Sequence, residues 1–126
     1  MPLSYTLYTP EASFRAFSIL IAAEYNNVKV TVNTDITAAS TKSPVGKLPI
    51  LELNGSTTEV SSTIFSSHSA ARYIASIRRD SGLLGNTMIE QAAIDSWMDW
   101  STSELELPAC IWFYPVVGYM PFNQSA

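Results

Sequence analysis

Basic residues end at Arg79. The first 79 residues hold seven Lys or Arg and five Asp or Glu, whereas residues 80–126 hold six acidic side chains and no basic one. Nucleic-acid binding needs clustered Lys and Arg to neutralise phosphates, so no nucleic-acid partner is expected; Arg78-Arg79 is too short a basic run. Cys110 is the only cysteine and His68 the only histidine. One thiol makes no internal disulfide, and no paired-Cys ligand spacing exists, so no metal site is expected. A reducing, cytoplasmic setting is the default expectation. Charge of either sign is scarce at 14%, and Ser and Thr fill 28 of 126 positions instead. A long hydrophobic run is missing too. The longest uncharged stretch, residues 107–126, contains Pro108, Pro115, Pro121 and Gly118. A membrane-spanning helix wants ~20 mostly apolar residues without such breaks, so no membrane insertion is expected. Met1-Pro2-Leu3-Ser4-Tyr5 has no basic segment leading into an apolar core, which argues against a secretory signal. What is present is enough apolar material for a core: 47% of 126 residues, which excludes wholesale disorder and suits one domain or a piece of a larger one.

The pattern along the chain alternates between two periods. Tyr5-Thr6-Leu7-Tyr8-Thr9 alternates and is rich in β-formers, so it predicts a strand. Pro10-Glu11 makes a turn, and Ser13 stands where an N-cap belongs. Phe14, Phe17, Ile21 and Tyr25 then recur at helical spacing until Asn26-Asn27. Val28 to Val32 predicts a second strand, giving a βαβ unit with a parallel pair. Residues 33–43 are polar and read as a loop. After the stiff turn Pro44 to Pro49, Ile50-Leu51-Glu52-Leu53 predicts a third strand. Asn54-Gly55 predicts a type I′ hairpin, with the return strand between Thr57 and Phe65. Ser66 or Ser67 caps a helix with inner positions Ala70, Tyr73, Ile74 and Ile77. Residues 80–86 read as a linker between residues 1–79 and 87–126. A longer helix is predicted from Thr87 to Leu105, with one stripe at Ile94, Trp97, Met98, Ser101 and Leu105, until Pro108 interrupts it.

Ser43-Pro44-Val45-Gly46-Lys47-Leu48-Pro49-Ile50-Leu51, set in the order βαβ, Pro-turn, β-hairpin, α, resembles a thioredoxin-like glutathione-binding domain. More specific segments flank it. Thr6-Leu7-Tyr8-Thr9, Phe14-Arg15-Ala16-Phe17 and Leu20 to Tyr25 carry part of the likeness. So do Ile94-Asp95-Ser96-Trp97-Met98-Asp99-Trp100-Ser101 with Glu104, and Pro108 to Pro115 followed by Gly118-Tyr119-Met120 and Asn123-Gln124. Together they resemble the glutathione-transferase-like N-terminal region of the gamma subunits of eukaryotic translation elongation factor 1. The resemblance implies a βαβ-ββα α/β domain with a four-stranded mixed sheet, followed by the first helix of a truncated all-α domain. Relatives continue with further helices, so the aromatic C-terminal segment would lack its cover. A large uncovered apolar patch is rare on a soluble monomer. A fragment, a truncated gene product or a homodimer would each account for it.

The resemblance also implies a site. In the family the second proline of the turn is cis, and the residue before it, here Leu48, pairs its backbone with glutathione's cysteinyl group like an added strand. The helix start at Ser66 and Ser67 offers N–H groups for the γ-glutamyl carboxylate; the alternative is an ordinary cap. Leu48, Pro49, Ser66 and Ser67 are therefore the glutathione-binding candidates. The family's acid-Ser-Asn signature reads Ser66-Ser67-His68 here, without the acid that would face the ligand's ammonium. Thiolate activation needs a donated hydroxyl near the end of the first strand, for which Tyr8, Thr9 and Ser13 are the candidates. Counting back from Arg15 to the usual serine position reaches Glu11, which would repel a thiolate. The segment before Pro44 is shorter than in relatives, so their second helix is expected to be missing. His68 has no adjacent orienting partner, so it reads as structural. Cys110 reads as an inert core thiol, Asp95 and Asp99 as a solvated acidic face, and Trp97 and Trp100 as interdomain core.

Three functions follow from the resemblance. One is a non-catalytic scaffold that docks the guanine-nucleotide-exchange subunit of the elongation factor 1 complex and needs no cofactor. The second is a glutathione transferase, with glutathione as ligand or co-substrate. The third is a glutathione-transferase-like appendage of an aminoacyl-tRNA synthetase.

Overall fold

A computed structural model describes residues 3–55 and 62–122. They form two compact units, Met1–Leu84 and Gly85–Ala126. The first unit is built on a four-stranded sheet of order β2-β1-β3-β4. Its strands are β1 (Ser4–Tyr8), β2 (Val30–Asn33), β3 (Ile50–Asn54) and β4 (Thr63–Phe65). β1 and β2 run parallel because the helix α1 (Phe14–Tyr25) carries the chain back between them. β3 pairs antiparallel with both β1 and β4. The sheet is therefore mixed, as the expected thioredoxin-like, glutathione-transferase-type domain requires.

Strand alternation divides the side chains between two faces. Tyr5, Leu7, Leu51 and Leu53 face α1 and the helix α3 (Ser67–Ser76), and with the helices' alanines and isoleucines they make the main core. Tyr8 and Ile50 lie on the other face, packed with Ala39 and Leu48.

The stripe that reveals α1 in the sequence is not the stripe that α1 buries. Phe14, Phe17, Ile21 and Tyr25 are each more than half exposed, at 52%, 53%, 56% and 67%. Buried instead are Ala16, Ile19, Ala22 and Ala23. α3 answers with Ala70, Ala71, Ile74 and Ala75, while Tyr73 is half-buried edge-on against Tyr5 and Ile77 is exposed beyond the helix end. Small residues on both helices allow close approach, and the two isoleucines fill the space left over. α1 ends where Asn27 takes a left-handed φ of 53°, with Val28 N–H closing on Ala23 at 2.8 Å. Asn26 is buried beside it, and its Nδ2 donates to the carbonyls of Ile74 at 2.7 Å and Ala75 at 3.1 Å. One amide side chain thus satisfies the last carbonyls of α3 and fixes the two helices to each other.

Three local expectations need correction. Residues 33–43 are not all loop, and a second helix is not wholly missing: α2 (Ile36–Ala39) continues into a 3₁₀ turn, Ser40–Lys42. Asp35 starts it by accepting from Thr37 N–H at 3.1 Å and Ala38 N–H at 3.3 Å. The fully buried Ala39 then anchors it over Tyr8 and Ile50. Asn54-Gly55 does not make a two-residue hairpin. Gly55 has φ 95° but Asn54 does not have positive φ, and Leu53 N–H reaches Ser62 at 2.7 Å, so the connection runs on through residues 56–61, which lie outside the described residues. Finally, Pro108 does not interrupt the second unit's helix.

In that unit α4 (Met88–Trp100) begins with a complete capping box. Thr87 Oγ1 accepts from Glu90 N–H at 3.3 Å, and the Glu90 carboxylate accepts from Thr87 N–H at 3.3 Å and Asn86 N–H at 2.6 Å. A π-helical stretch, Ser101–Glu106, leads directly into α5 (Leu107–Val117). Pro108 has no N–H, and it falls in the first turn of α5, where the widened ladder does not need one. The hydroxyls of Ser101, Thr102 and Ser103 donate back to Met98 or Asp99 carbonyls across the transition. Gly118, at φ 81°, ends α5. No described residue of this unit is buried, Trp97 and Leu105 of the expected stripe included. Among the described residues no helix is long and apolar enough to cross a membrane.

Asn26→Ala should destabilise the chain by about 1–2 kcal/mol, because the Ile74 and Ala75 carbonyls each lose a buried donor. The loss is moderated by Asn26 Oδ1, which is itself buried without a hydrogen-bond partner among the described residues. Urea unfolding followed by far-UV circular dichroism measures this; an unmoved midpoint would show that alanine packing alone joins α1 to α3.

Candidate functional site

Register alone assembles the candidate site. Tyr8 at the end of β1 pairs with Ile50 at the start of β3, and Ile50 pairs with Phe65 at the end of β4. One residue beyond each lie Thr9, Pro49 and Ser66, so three remote segments meet at one end of the sheet. This is the carboxyl end of the parallel pair β1–β2, the end at which open α/β sheets hold ligands. Each segment supplies something different there.

The Leu48–Pro49 peptide bond is cis. Pro49 is buried, and Leu48 is half-buried against the cluster of Tyr8, Ala39 and Ile50. Ser66 is exposed and holds φ 93°, ψ 127°, a conformation costly for any residue with a Cβ. It sits at the N-cap of α3, but its side chain makes no capping bond. Ser67, half-buried, is the first residue of α3. The N–H groups of the first turn and the positive end of the helix dipole lie here. The four glutathione-binding candidates are thus brought together.

The three candidate hydroxyls are not equivalent. Thr9 is buried and its Oγ1 donates to the Pro10 carbonyl at 3.2 Å. Ser13 is the N-cap residue of α1, half-buried, with no side-chain capping bond. Tyr8 is buried, and its hydroxyl donates to Glu52 Oε2 at 2.9 Å. Glu52 also forms an ion pair with Lys42, whose Nζ stands 5.3 Å from the centre of the Tyr8 ring. Thr63 on β4 donates to the Lys42 carbonyl at 3.3 Å. These contacts tie the 3₁₀ turn to the sheet through the side chains of Tyr8, Lys42, Glu52 and Thr63, and they set the titration of the first three. Glu52 is held below the usual carboxylate range, first by the hydrogen bond from Lys42. Lys42 is raised by the same bond. The Tyr8 phenol is raised because its proton is held by Glu52. A phenol that keeps its proton and already donates it to a carboxylate is poorly placed to lower the pKa of a thiol.

Lys42 and Glu52 were not among the candidates read from the sequence. A signal for Glu52 was there: it is the one charged residue in an alternating strand, and so must point away from Leu51 and Leu53 toward the Tyr8 face. Lys42 gave none, since it lies in a stretch without strand or helix periodicity. His68 is half-buried in the first turn of α3. Cys110 lies on α5 in the second unit. Among the described residues no group of three or more His, Cys, Asp or Glu is placed to hold a metal ion.

No protein-family model matches the chain. Over nearly its whole length it is similar to elongation factor 1-gamma. It is 34% identical to probable elongation factor 1-gamma 1 of Arabidopsis thaliana, over 98% of this chain and 30% of that protein. It is also 34% identical to elongation factor 1-gamma of the animal Artemia salina, over 95% of this chain and 28% of that protein. The chain therefore spans less than a third of the length of these relatives. Among solved structures, the glutathione S-transferase of Ascaris lumbricoides superposes with a TM-score of 0.70 at 26% identity, covering 97% of this chain and 57% of that one. A nematode-specific glutathione transferase of C. elegans gives 0.69 at 24%, covering 98% and 58%. The fold is that of the glutathione transferases, and the sequence likeness is to elongation factor 1-gamma.

Glu52→Gln tests the tie at the sheet end. Because the folded pKa of Glu52 lies below its unfolded value of about 4.3, its stabilisation is present above that pH and is lost as pH falls through the folded value. Glu52→Gln should therefore cost about 1 kcal/mol near pH 7 and less near about pH 3. Urea midpoints of both proteins at the two pH values decide it; a penalty independent of pH would remove the ion pair from the explanation.

Proposed function

We propose that this chain is the glutathione-transferase-like part of an elongation-factor-1-gamma-type protein and acts as a non-catalytic docking module. Its partner in this reading is the guanine-nucleotide-exchange subunit of the elongation factor 1 complex, in the cytoplasm. The observation that carries the reading is 34% identity to elongation factor 1-gamma across 98% of the chain. The chemistry of the site agrees with it. The phenol at the end of β1 is engaged by Glu52 and its pKa is raised. Thr9 spends its hydroxyl on its own turn.

A second reading rests on one arrangement. Leu48, Pro49, Ser66 and Ser67 stand together at the sheet end beside the start of α3. That arrangement suits a carboxylate-bearing peptide such as glutathione. In our reading glutathione is at most a weakly held ligand, because the residue preceding Ser67 is a serine with no charge to offer the ligand's ammonium. Nothing in the site favours a synthetase appendage over either reading.

The two readings separate in one preparation. Calorimetry with the purified exchange subunit should show saturable binding. Conjugation of glutathione to chlorodinitrobenzene by the same sample should not exceed the buffer rate. Turnover that falls at least ~10-fold in Tyr8→Phe or Ser67→Ala would instead establish a transferase. Absence of exchange-subunit binding by a folded sample would remove the scaffold reading.

A further inference from the structure

The chain's single basic pair is followed by an acceptor hydroxyl. Among the 28 Ser and Thr, only Ser81 has Arg at both the second and the third position before it, in Arg78-Arg79-Asp80-Ser81. The segment comes after α3, where Arg79–Ser81 form one 3₁₀ turn that ends at Gly82 with φ 71°. Residues 76–80 are exposed and Ser81 is half-buried. Three charged side chains in a row keep this stretch in water, because Arg and Asp are almost never fully buried. The turn is lightly held. Ser81 Oγ donates to the Arg78 carbonyl at 2.8 Å, and Gly82 N–H to the Arg79 carbonyl at 3.3 Å. Arg78 donates to Asp80 from Nε at 3.2 Å and from Nη2 at 2.6 Å, but the two side chains are 48% and 69% exposed, and a pair so exposed adds little. Opening one such turn lies at the low-cost end of local unfolding. The sequence offers two lesser sites, Ser18 three residues after Arg15 and Thr31 two residues after Lys29. The fold withdraws both. Ser18 lies inside α1 between the core residues Ala16 and Ile19, and Thr31 lies inside β2, paired with Thr6 of β1. Presenting either in an extended segment would break the core or the sheet.

We propose that Ser81 is a phosphorylation site for protein kinases that select Arg before the acceptor. Such kinases take the substrate segment extended and read its arginines with carboxylates of their own. In the reaction Ser81 Oγ attacks the γ-phosphorus of magnesium-bound ATP. The Oγ–P bond forms as the bond from that phosphorus to the β–γ bridging oxygen breaks, ADP leaves with the electron pair, and the hydroxyl proton passes to the kinase's carboxylate base. The modified Oγ has no proton left to donate, so the turn loses its bond to the Arg78 carbonyl. The phosphate adds about −1.5 to −2 of charge beside two arginines and one aspartate, whose own sum is +1. The segment changes sign, and the acidic half of the chain then extends back across its last basic pair. The site is independent of both functional readings, since neither docking nor glutathione enters it.

The test treats the full chain with magnesium, ATP and the catalytic subunit of cyclic-AMP-dependent protein kinase, and locates the phosphate by fragmentation mass spectrometry. One phosphate should appear, on Ser81, and Ser81→Ala should abolish its incorporation. Arg78→Ala and Arg79→Ala should each lower kcat/KM for phosphorylation at least ~10-fold, because each removes a charge-assisted contact to the kinase. Asp80→Ala should raise it by at most ~5-fold, since it releases Arg78 from an exposed pair. All four positions are outside the core, so the far-UV circular dichroism of each variant should match that of the parent chain. Absence of phosphate on Ser81 in the folded chain overturns the proposal. So does phosphate on Ser18 or Thr31 while Ser81 stays unmodified, because the fold then does not choose the site. A rate indifferent to both arginine substitutions overturns it as well, because the basic pair is then not what is read.

Discussion

The first unit depends on how closely α1 approaches α3. Four alanine or isoleucine positions on each helix make the contact, and alanine is what permits it: larger side chains would hold the helices apart and lift both from the sheet. Asn26 closes the arrangement from the end, donating from its side-chain amide to the Ile74 and Ala75 carbonyls in the last turn of α3. From this packing follow the other positions. α1 is held against the sheet, so β2 returns parallel to β1. α3 is held beside it, so its start, at Ser66 and Ser67, comes to the same sheet end as Leu48 and Pro49.

That sheet end combines two kinds of constraint. The backbone is unusual at two points, the cis Leu48–Pro49 bond and the positive φ of Ser66. Side chains fix the third strand's neighbour: Tyr8, Glu52 and Lys42 join β1, β3 and the turn after α2 in one half-buried cluster. The cluster holds the turn after α2 against β1, β3 and β4. It does so by using the phenol that a thiol-activating site would need free.

The second unit follows a different logic. Its helices are locally well specified, by the Thr87–Glu90 capping box, by the hydroxyls that bridge the π-helical stretch and by Gly118 at the end. Yet no described residue in it is buried. Local hydrogen bonds define the path of its backbone, while its large apolar side chains, Trp112 and Val116 of α5 among them, are exposed.

Much of this was legible in the sequence. The alternation of Tyr5 to Tyr8, the helical recurrence from Phe14 and the Pro44–Pro49 turn were enough for the βαβ-ββα order, because each is a local pattern with a local cause. The candidate residues at Leu48, Pro49, Ser66 and Ser67 were legible through the resemblance those patterns carry. The chain by itself also determined the charge division at Arg79 and the uncharged stretch from Leu107. Tertiary structure decided the rest. Periodicity located α1, but with two apolar stripes on one helix only packing against α3 could choose the alanine stripe over the phenylalanine one. Asn54-Gly55 has the composition of a tight turn, and strand register, set by the pairing of Leu53 with Ser62, overruled it. Tyr8 was one of three candidate hydroxyls, and the sequence did not show its partner Glu52, which lies 44 residues away. A sequence records neighbours along the chain; which donor meets which acceptor across a sheet is settled only when the strands are in register.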